Sequence, residues 1–356
     1  MSASPLCDIV IPIWDQPELS RRCLESILRC TPEPIRLILV DNGSKPPTRQ
    51  MLDQFRTSSS VPIEIIRNET NLGFIRGVNQ GIRAARSVWI CLLNNDTVVT
   101  AGWLSEMLRV GEADPSIGLI NPTSNSLGFD AGKTPLKEYA AELKKQSGKT
   151  TELTVALGFC LLAKRSLFDR IGVLNEAFGM GYFEDDDLSR RVRGAGLRCV
   201  RACASYVYHE EKGSFRHLEG HEKSFNENKQ KFEKIWGKRL RILWPLYPAG
   251  PFPKEEALRL VGQGHWLYLM APDGTLPADL TSHAQVTCLK ATPATWRLRA
   301  TARLIIRRKK PFDVAISHDP AWARWIGALR WLHRAQLIQK PTGAEILRRC
   351  EELARQ

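Results

Sequence analysis

The chain has 356 residues, of which 43% are hydrophobic and 25% charged, and a formal net charge of +13. That length accommodates two domains of ordinary size, and the composition excludes disordered and fibrous classes. No apolar run approaches the roughly 20 residues that cross a bilayer, and the first residues lack a basic stretch ahead of a long apolar core, so neither a spanning helix nor a secretion signal is expected.

The elements follow in order. "CDIVIPIW" (7–14) is a continuous apolar run of strand type, "QPELSRRCLESILRC" (16–30) has helical period, and "IRLILVDNGS" (35–44) is a second buried strand ending in Asp41, Asn42 and Gly43. "VPIEIIRNE" (61–69) reads as a third strand, and the glycines of "NLGFIRGVNQGIRAAR" (71–86) open a helix. Gly73, Gly77 and Gly81 are spaced by four and do not match GxGxxG; they permit close packing of a helix on a sheet. "SVWICLLNNDT" (87–97) is a strand running into Asn94, Asn95 and Asp96. Buried strands alternating with helices predict a parallel sheet covered on both faces.

Beyond Asp96, "TAGWLSEMLRVGEADPSIGLINP" (100–122) reads as helix then strand. The polar, weakly patterned stretch from Thr123 to Thr151 is expected to be a mobile loop over a site. "LTVALGFCLLAKRSLFDRIG" (153–172) reads as strand then helix, "GYFEDDDLSRRVRGAGLRCVR" (181–201) as an acidic cluster opening a helix, and "CASYVYHEEKGSF" (203–215) as a strand ending in His209. No internal repeat is present.

"LRILWPLYPAGPFPKE" (240–255) holds four prolines, which places a linker at 245–261 between a first domain, 1–244, and a smaller basic α/β unit, 262–356. The second unit's elements are "GHWLYLM", an Asp273-Gly274 turn, "AQVTCLK", the basic helix "WRLRATARLIIRRKK", "FDVAISHD" and the Trp-rich helix "PAWARWIGALRWLHR".

Three polar side chains at a strand tip can converge on one ion or diphosphate, since ligands of open α/β sheets sit at strand ends. Asn and Asp are equally at home in a plain turn, so Asn94, Asn95 and Asp96 alone leave both readings open. Glu184, Asp185, Asp186 and Asp187 exceed what a helix cap requires. Tyr182 and Phe183 are expected to bury the base of this cluster, raising one carboxylate's proton affinity toward general-base work near neutral pH. His209 ends an aromatic strand. A strand-end acid, an acidic cluster and a strand-end histidine together can surround a hard cation bound to phosphate oxygens.

"IVIPIWDQPELSRRCLESIL", "LILVDNGS", "NLGFIRGVNQGI", "LLNNDT", "YFEDDDLSRR" and "YHEEKGS", in this order over about residues 7 to 240, resemble family 2 glycosyltransferases of the GT-A fold, with the rhamnosyltransferase-like branch of bacterial surface polysaccharide synthesis nearest. The resemblance implies an α/β fold with a mostly parallel sheet flanked by helices. It also implies a nucleotide-diphospho-sugar site at the C-terminal ends of the first four strands. Asp41 is similar to the acid that contacts the base or ribose, with Pro12 and Ile13 lining the pocket and Asn71 and Gly73 on the donor side. Asn94, Asn95 and Asp96 stand for the DxD motif, Asn94 being a neutral and weaker partner. Asp96 and His209 would hold Mg²⁺ or Mn²⁺ against the diphosphate, Asp185 would be the base of an inverting transfer, and Glu184 and Asp187 would position the loop, with Arg191 a phosphate partner. Trp14-Asp15 and Arg76 depart from the pattern near the nucleotide pocket and bear on donor identity.

The nine cysteines are irregularly spaced without a CxxC pair, which suits reduced thiols in a cytoplasm. Residues 245–356 hold 17 Lys and Arg against 9 Asp and Glu, so more than half of the charge excess lies there. The basic face and the stripe Trp322, Trp325, Leu329 and Leu332 read first as a solvated helix face and a core; the functional reading is a peripheral contact with an anionic membrane at the cytoplasmic face of the inner membrane. That would suit a glycan or polyprenyl-diphosphate-linked acceptor. The unit's α/β pattern is also similar to part of a GT-B-like transferase. Two other functions compete: a non-catalytic nucleotide-sugar binder, and a nucleic-acid-binding protein indicated only by charge. No recognition module supports the last, so nucleic acid is not expected as a partner.

Overall fold

A buried carboxylate organises the first strand. In the computed structural model, which describes residues 4–211, 221–247, 252–272, 276–281, 283, 285–306 and 310–356, Asp8 is fully buried in β1 (Cys7–Ile13). It accepts hydrogen bonds from Arg36 Nε at 2.9 Å and Nη2 at 2.8 Å, from the backbone N–H of Arg86 and Ser87, and from Ser87 Oγ. Burial alone would push this carboxyl up; the guanidinium and the three other donors outweigh it and hold it below its ordinary range.

The chain continues through α1 (Pro17–Cys30), β2 (Ile35–Asn42), α2 (Pro46–Ser58), β3 (Ile63–Asn68), α3 (Phe74–Ala84), β4 (Trp89–Leu93), β5 (Thr97–Val99), α4 (Trp103–Ala113) and β6 (Ile117–Thr123). Then follow α5 (Leu136–Leu143), β7 (Thr150–Glu152), β8 (Cys160–Lys164), α6 (Arg165–Ile171), α7 (Glu184–Gly194), β9 (Arg198–His209) and α8 (His221–Trp236). The strands form one sheet in the order β3-β2-β1-β4-β8-β6-β9-β5, with β7 beside β9. The β3 to β4 side is parallel, as continuous apolar strands joined by helical crossovers require. Beyond it β8 is antiparallel to β4 and β6, and β9 is parallel to β6 and antiparallel to β5 and β7.

Two glycines set close approaches. Gly43, just after β2, has φ +78, and a Cβ there would lie 2.5 Å from the Thr70 carbonyl carbon. Gly81 lets α3 rest on β1, where a Cβ would lie 2.2 Å from Val10 Cγ1.

The stretch Thr123–Thr151 is not the expected featureless loop. It holds a 3-10 turn (Asn125–Leu127), α5 and β7, and α5 packs Ala140 and Leu143 against Tyr206 of β9. Its mostly polar surface hides the helical period.

The chain divides into two compact units, 1–229 and 230–356, rather than at 244, with α8 running across the division. The expected linker at 245–261 is corrected on the same grounds. "RILWP" is itself β10 (Arg241–Pro245), followed by α9 (Lys254–Gly262), β11 (Trp266–Ala271), α10 (Ala278–Thr281), β12 (Val286–Lys290), α11 (Trp296–Ile305), β13 (Val314–Ser317), α12 (Pro320–Ala328), β14 (Gln336–Gln339) and α13 (Gly343–Arg355). These strands make an all-parallel sheet in the order β12-β11-β10-β13-β14, with β10 in its centre. One face packs against α9, α10 and α13, the other against α11 and α12. The Asp273-Gly274 turn, residues 248–251 of the proline stretch, 307–309 of the basic run and 212–214 of "YHEEKGS" lie outside the described residues.

Replacing Gly43 by Ala combines a left-handed backbone with a backbone clash. It should cost roughly 3 kcal/mol of stability, measured by urea unfolding, whereas an exposed control such as Gly128→Ala, with nothing near the added methyl, should cost only its backbone share.

Candidate active site

The loops after β1 and β2 are tied together. Asp15 and Gln16 adopt left-handed backbone, φ 54 and 57, and Asp15 N–H donates to Ser44 Oγ while its carboxylate accepts from Lys45 N at 2.8 Å. Pro12 and Ile13 end β1 in register with Val40 and Asp41. Asp41 is fully buried; its Oδ1 accepts from Ser44 N, and its Oδ2 has no hydrogen bond, facing Arg49 Nε and Arg67 Nη1 at 3.6 Å each. A buried acceptor left open at a strand end is suited to a ligand's N–H or O–H.

Asn42 fixes the next loop. Its amide donates to Asn71 Oδ1 and to the Gly73 carbonyl, and its oxygen accepts from Asn68 Nδ2 and Leu72 N. Asn71 Oδ1 also accepts from Gly73 N at 2.8 Å, so that oxygen shapes the loop. Arg76 is exposed and pairs with Glu176 at 3.5 Å.

The three polar residues after β4 do not converge. Asn95 Nδ2 donates to Ser20 Oγ of α1 at 2.8 Å, which turns it away from its neighbours. Asn94 and Asp96 instead meet His209: Nδ2 of Asn94 lies 3.5 Å and Oδ1 of Asp96 3.1 Å from His209 Nε2. The antiparallel pairing of Thr97 with His209 brings this about.

Residues in the stretch expected to be a loop fasten the imidazole. Asn125 donates to the His209 carbonyl and accepts its N–H, and Ser126 Oγ lies 2.9 Å from His209 Nδ1. Ser126 donates its single proton to Glu211, a carboxylate that only accepts, so its oxygen accepts the Nδ1–H. In the neutral imidazole Nε2 then turns a lone pair on the Asp96 carboxylate. Two Lewis bases 3.1 Å apart require a proton or a cation between them. One carboxylate oxygen and one imidazole nitrogen are donors of the kind that would hold a divalent cation. No group of three or more His, Cys, Asp or Glu side chains is arranged for an ion among the described residues.

Gly158 and Phe159 connect this pair to the acidic cluster. Asn121, buried, donates to the Leu157 and Cys160 carbonyls and accepts from Leu157 N. On the segment so held, Gly158 N–H faces Asp185 Oδ2 at 3.4 Å, the Phe159 carbonyl accepts from Asn94 N at 2.8 Å, and the Phe159 ring stacks on His209 at 5.2 Å. The sequence reading passed over Asn121, Asn125, Ser126, Gly158 and Phe159. The only local signal was "GF" interrupting an apolar run.

Tyr182 and Phe183 enter α7 in left-handed backbone, φ 73 and 72, and both rings contact Phe225. Asn228 donates to the Phe178 and Gly181 carbonyls and steadies that turn. Glu184 is a carboxyl of this cluster with raised proton affinity. Burial first, then the neighbouring Asp185 charge, push Glu184 up to about 8, and its Oε2 has no hydrogen bond. Asp185 is half-buried and accepts from Asp186 N at 2.8 Å.

Arg191, expected as a phosphate partner, makes its hydrogen bonds within the scaffold. Its Nε donates to Asp187 at 2.8 Å, and its Nη1 and Nη2 donate to the carbonyls of Ile171, Gly172 and Val173. With these four hydrogen bonds it fastens the turn after α6.

Because Glu184 binds its proton more tightly when folded, stability should fall as pH rises from the ordinary carboxyl range through about 8. Glu184→Gln should match wild type in melting temperature at pH 5 and exceed it by at least about 3 °C at pH 8.5; a pH-independent difference would remove the assignment.

Residues 8–172 match the sequence profile of Glycosyl transferase family 2. An uncharacterized protein of Sinorhizobium fredii is 30% identical over 245 residues, 63% of this chain and 26% of that protein. An uncharacterized glycosyltransferase of Haemophilus influenzae is 27% identical over 176 residues, 48% of this chain and 57% of that one. The chain thus spans only part of the length of these relatives. A crystal structure of GalNAc-T7 with UDP, GalNAc and Mn²⁺ superposes with a TM-score of 0.52 at 16% identity, covering 65% of this chain and 48% of that chain; at that identity the likeness concerns the fold. Over residues 8–172 the chain is thus similar to glycosyl transferase family 2, and a relative named as a glycosyltransferase matches it as well.

Proposed function

We propose that the chain transfers a glycosyl group from a nucleotide-diphosphate sugar to a hydroxyl of a glycan or polyprenyl-diphosphate-linked acceptor, with inversion at the anomeric carbon. One observation carries the reading: the short segment Gly158–Phe159 touches Asp185 on one side and Asn94 and His209 on the other. A base and a cation-binding pair joined this way suit a displacement in which proton removal and leaving-group departure occur close together.

The donor's base or ribose would lie against the open Asp41 Oδ2, between the loops held by Asp15 and Asn42. Asp96 and His209 would hold Mg²⁺ or Mn²⁺, which supplies positive charge to the diphosphate as it leaves. Asn94 contributes a neutral amide beside them. Asp185 takes the proton of the acceptor hydroxyl while that oxygen bonds to the anomeric carbon and the carbon–diphosphate bond breaks. Buried Glu184 keeps its own proton near neutral pH. Asp187, through Arg191, ties the first turn of α7 to the turn after α6. The resemblance points to rhamnose as one donor sugar to test.

Released nucleoside diphosphate should appear when the protein meets a panel of nucleotide sugars, rhamnose donors included, with Mn²⁺ and lipid-linked acceptors. Asp185→Asn should lower turnover by roughly 10²–10⁴-fold while nucleotide binding by calorimetry is kept. Equal turnover in that variant rejects Asp185 as the base, and no turnover with any donor rejects the enzyme. Ser126→Ala, which frees Nδ1, should weaken Mn²⁺ binding in the presence of nucleoside diphosphate by about tenfold or more, read by the spin resonance of free Mn²⁺.

A further inference from the structure

We propose that the α11 and α12 face of the C-terminal unit docks on an anionic phospholipid bilayer, seating a lipid phosphate in the groove between α11 and β12. This goes beyond the sugar-transfer reading and does not depend on it.

The helical layer keeps its core and its surface distinct. Trp296, Ala300 and Leu304 of α11 and Trp322 and Ile326 of α12 turn inward, and Trp322 Nε1 donates to Thr301 Oγ1 at 3.0 Å. The expected core stripe is therefore corrected. Trp322 is buried, but Trp325 is 62% exposed and Leu332 37%, and Trp331 beside it is 79% exposed. On α11, Leu298 is 76% exposed, and Ile306 just past its end 60%. Solvated helix faces carry polar residues in these places. Exposed tryptophans with exposed aliphatics are the mark of a surface with one apolar side and one wet side.

Charge selects the occupant. From residue 290 to 340 the sequence holds 12 Lys and Arg and only two acids, Asp313 and Asp319. Asp319 is buried, caps α12 by accepting from Trp322 N and pairs with Arg297 at 2.5 Å; Asp313 accepts from Arg241 N at 2.7 Å. A nucleic acid would match the cations but offer the exposed Trp and Leu side chains no apolar depth. An anionic bilayer offers both.

The groove has the chemistry of a headgroup seat. It has a volume of about 570 Å³ and is lined by Lys290, Arg299 and Arg303, with Met270 and Leu289 buried beneath and Ile306 exposed at its side. Arg299 Nη1 donates to the Lys290 carbonyl at 2.7 Å, which holds the guanidinium at the rim. A phosphate diester meets the cations while its glycerol and acyl carbons cover the floor.

The full chain should float with phosphatidylglycerol vesicles and not with phosphatidylcholine vesicles, and 0.5 M NaCl should release it. Arg299→Glu with Arg303→Glu should weaken partitioning by at least about tenfold, as reversal of charges in the surface potential requires. Trp325→Ala with Trp331→Ala should reduce flotation while leaving turnover of a soluble acceptor unchanged. Brominated lipid should quench part of the wild-type tryptophan emission and less in that variant. Soluble behaviour with anionic vesicles, flotation unaffected by either pair, or equal flotation with neutral vesicles overturns the proposal. So does light scattering that shows the Trp pair holding two copies together in place of vesicle binding, or capture of RNA without capture of vesicles. Loss of donor turnover with intact flotation would reject the sugar-transfer reading and leave this one standing.

Discussion

The antiparallel pairing of Thr97 with His209 is the contact on which the site depends. It turns a separation of 113 residues into a 3.1 Å approach of imidazole to carboxylate. Three backbone positions of β5 suffice, because β9 is a long strand already held by β6 and β7. Without that ladder Asp96 would be one polar residue in a turn. With it, the end of β4 and the end of β9 share a corner of the sheet.

Around this corner the side chains divide between those spent on the scaffold and those left open. Arg191, Asn95 and the Asn71 oxygen are spent, on carbonyls, on Ser20 and on Gly73. Asp41 Oδ2 and Glu184 Oε2 are left open, both buried. An unsatisfied buried oxygen costs stability unless something later meets it, so such atoms concentrate where a ligand or a transferable proton belongs.

How far the sequence discloses this follows from the physics of each piece. The parallel strands β1, β2 and β4 are legible because strands buried on both faces must be continuously apolar. Asp96, Asp185 and His209 are legible as candidates from their order in the chain. The directions of Asn95 and Arg191 are not, because adjacency fixes neither which way a side chain leaves a turn nor which carbonyls lie nearby. The pairing of Asp187 with Arg191 is readable from its spacing of four on a helix, yet the three carbonyls that complete it are tertiary. The beginning of the second unit is hidden for another reason: Pro245 and the prolines after it read as a breaker, but Pro245 is only the last residue of β10. Asn121 has no signal at all, since a buried asparagine inside an apolar strand declares nothing about the loop it will hold.

Asn121 also bears on motion. Because its amide grips both ends of Leu157–Cys160, that segment moves as one piece, carrying the backbone groups that face Asp185 and Asn94. Displacement of that segment would then shift the groups facing Asp185 and Asn94 in concert, so the spacing between these two contacts fluctuates less than the position of either. For the displacement proposed above, an error in placing the site in space is harmless; an error in its internal spacing is not. A single asparagine converts the second kind of error into the first.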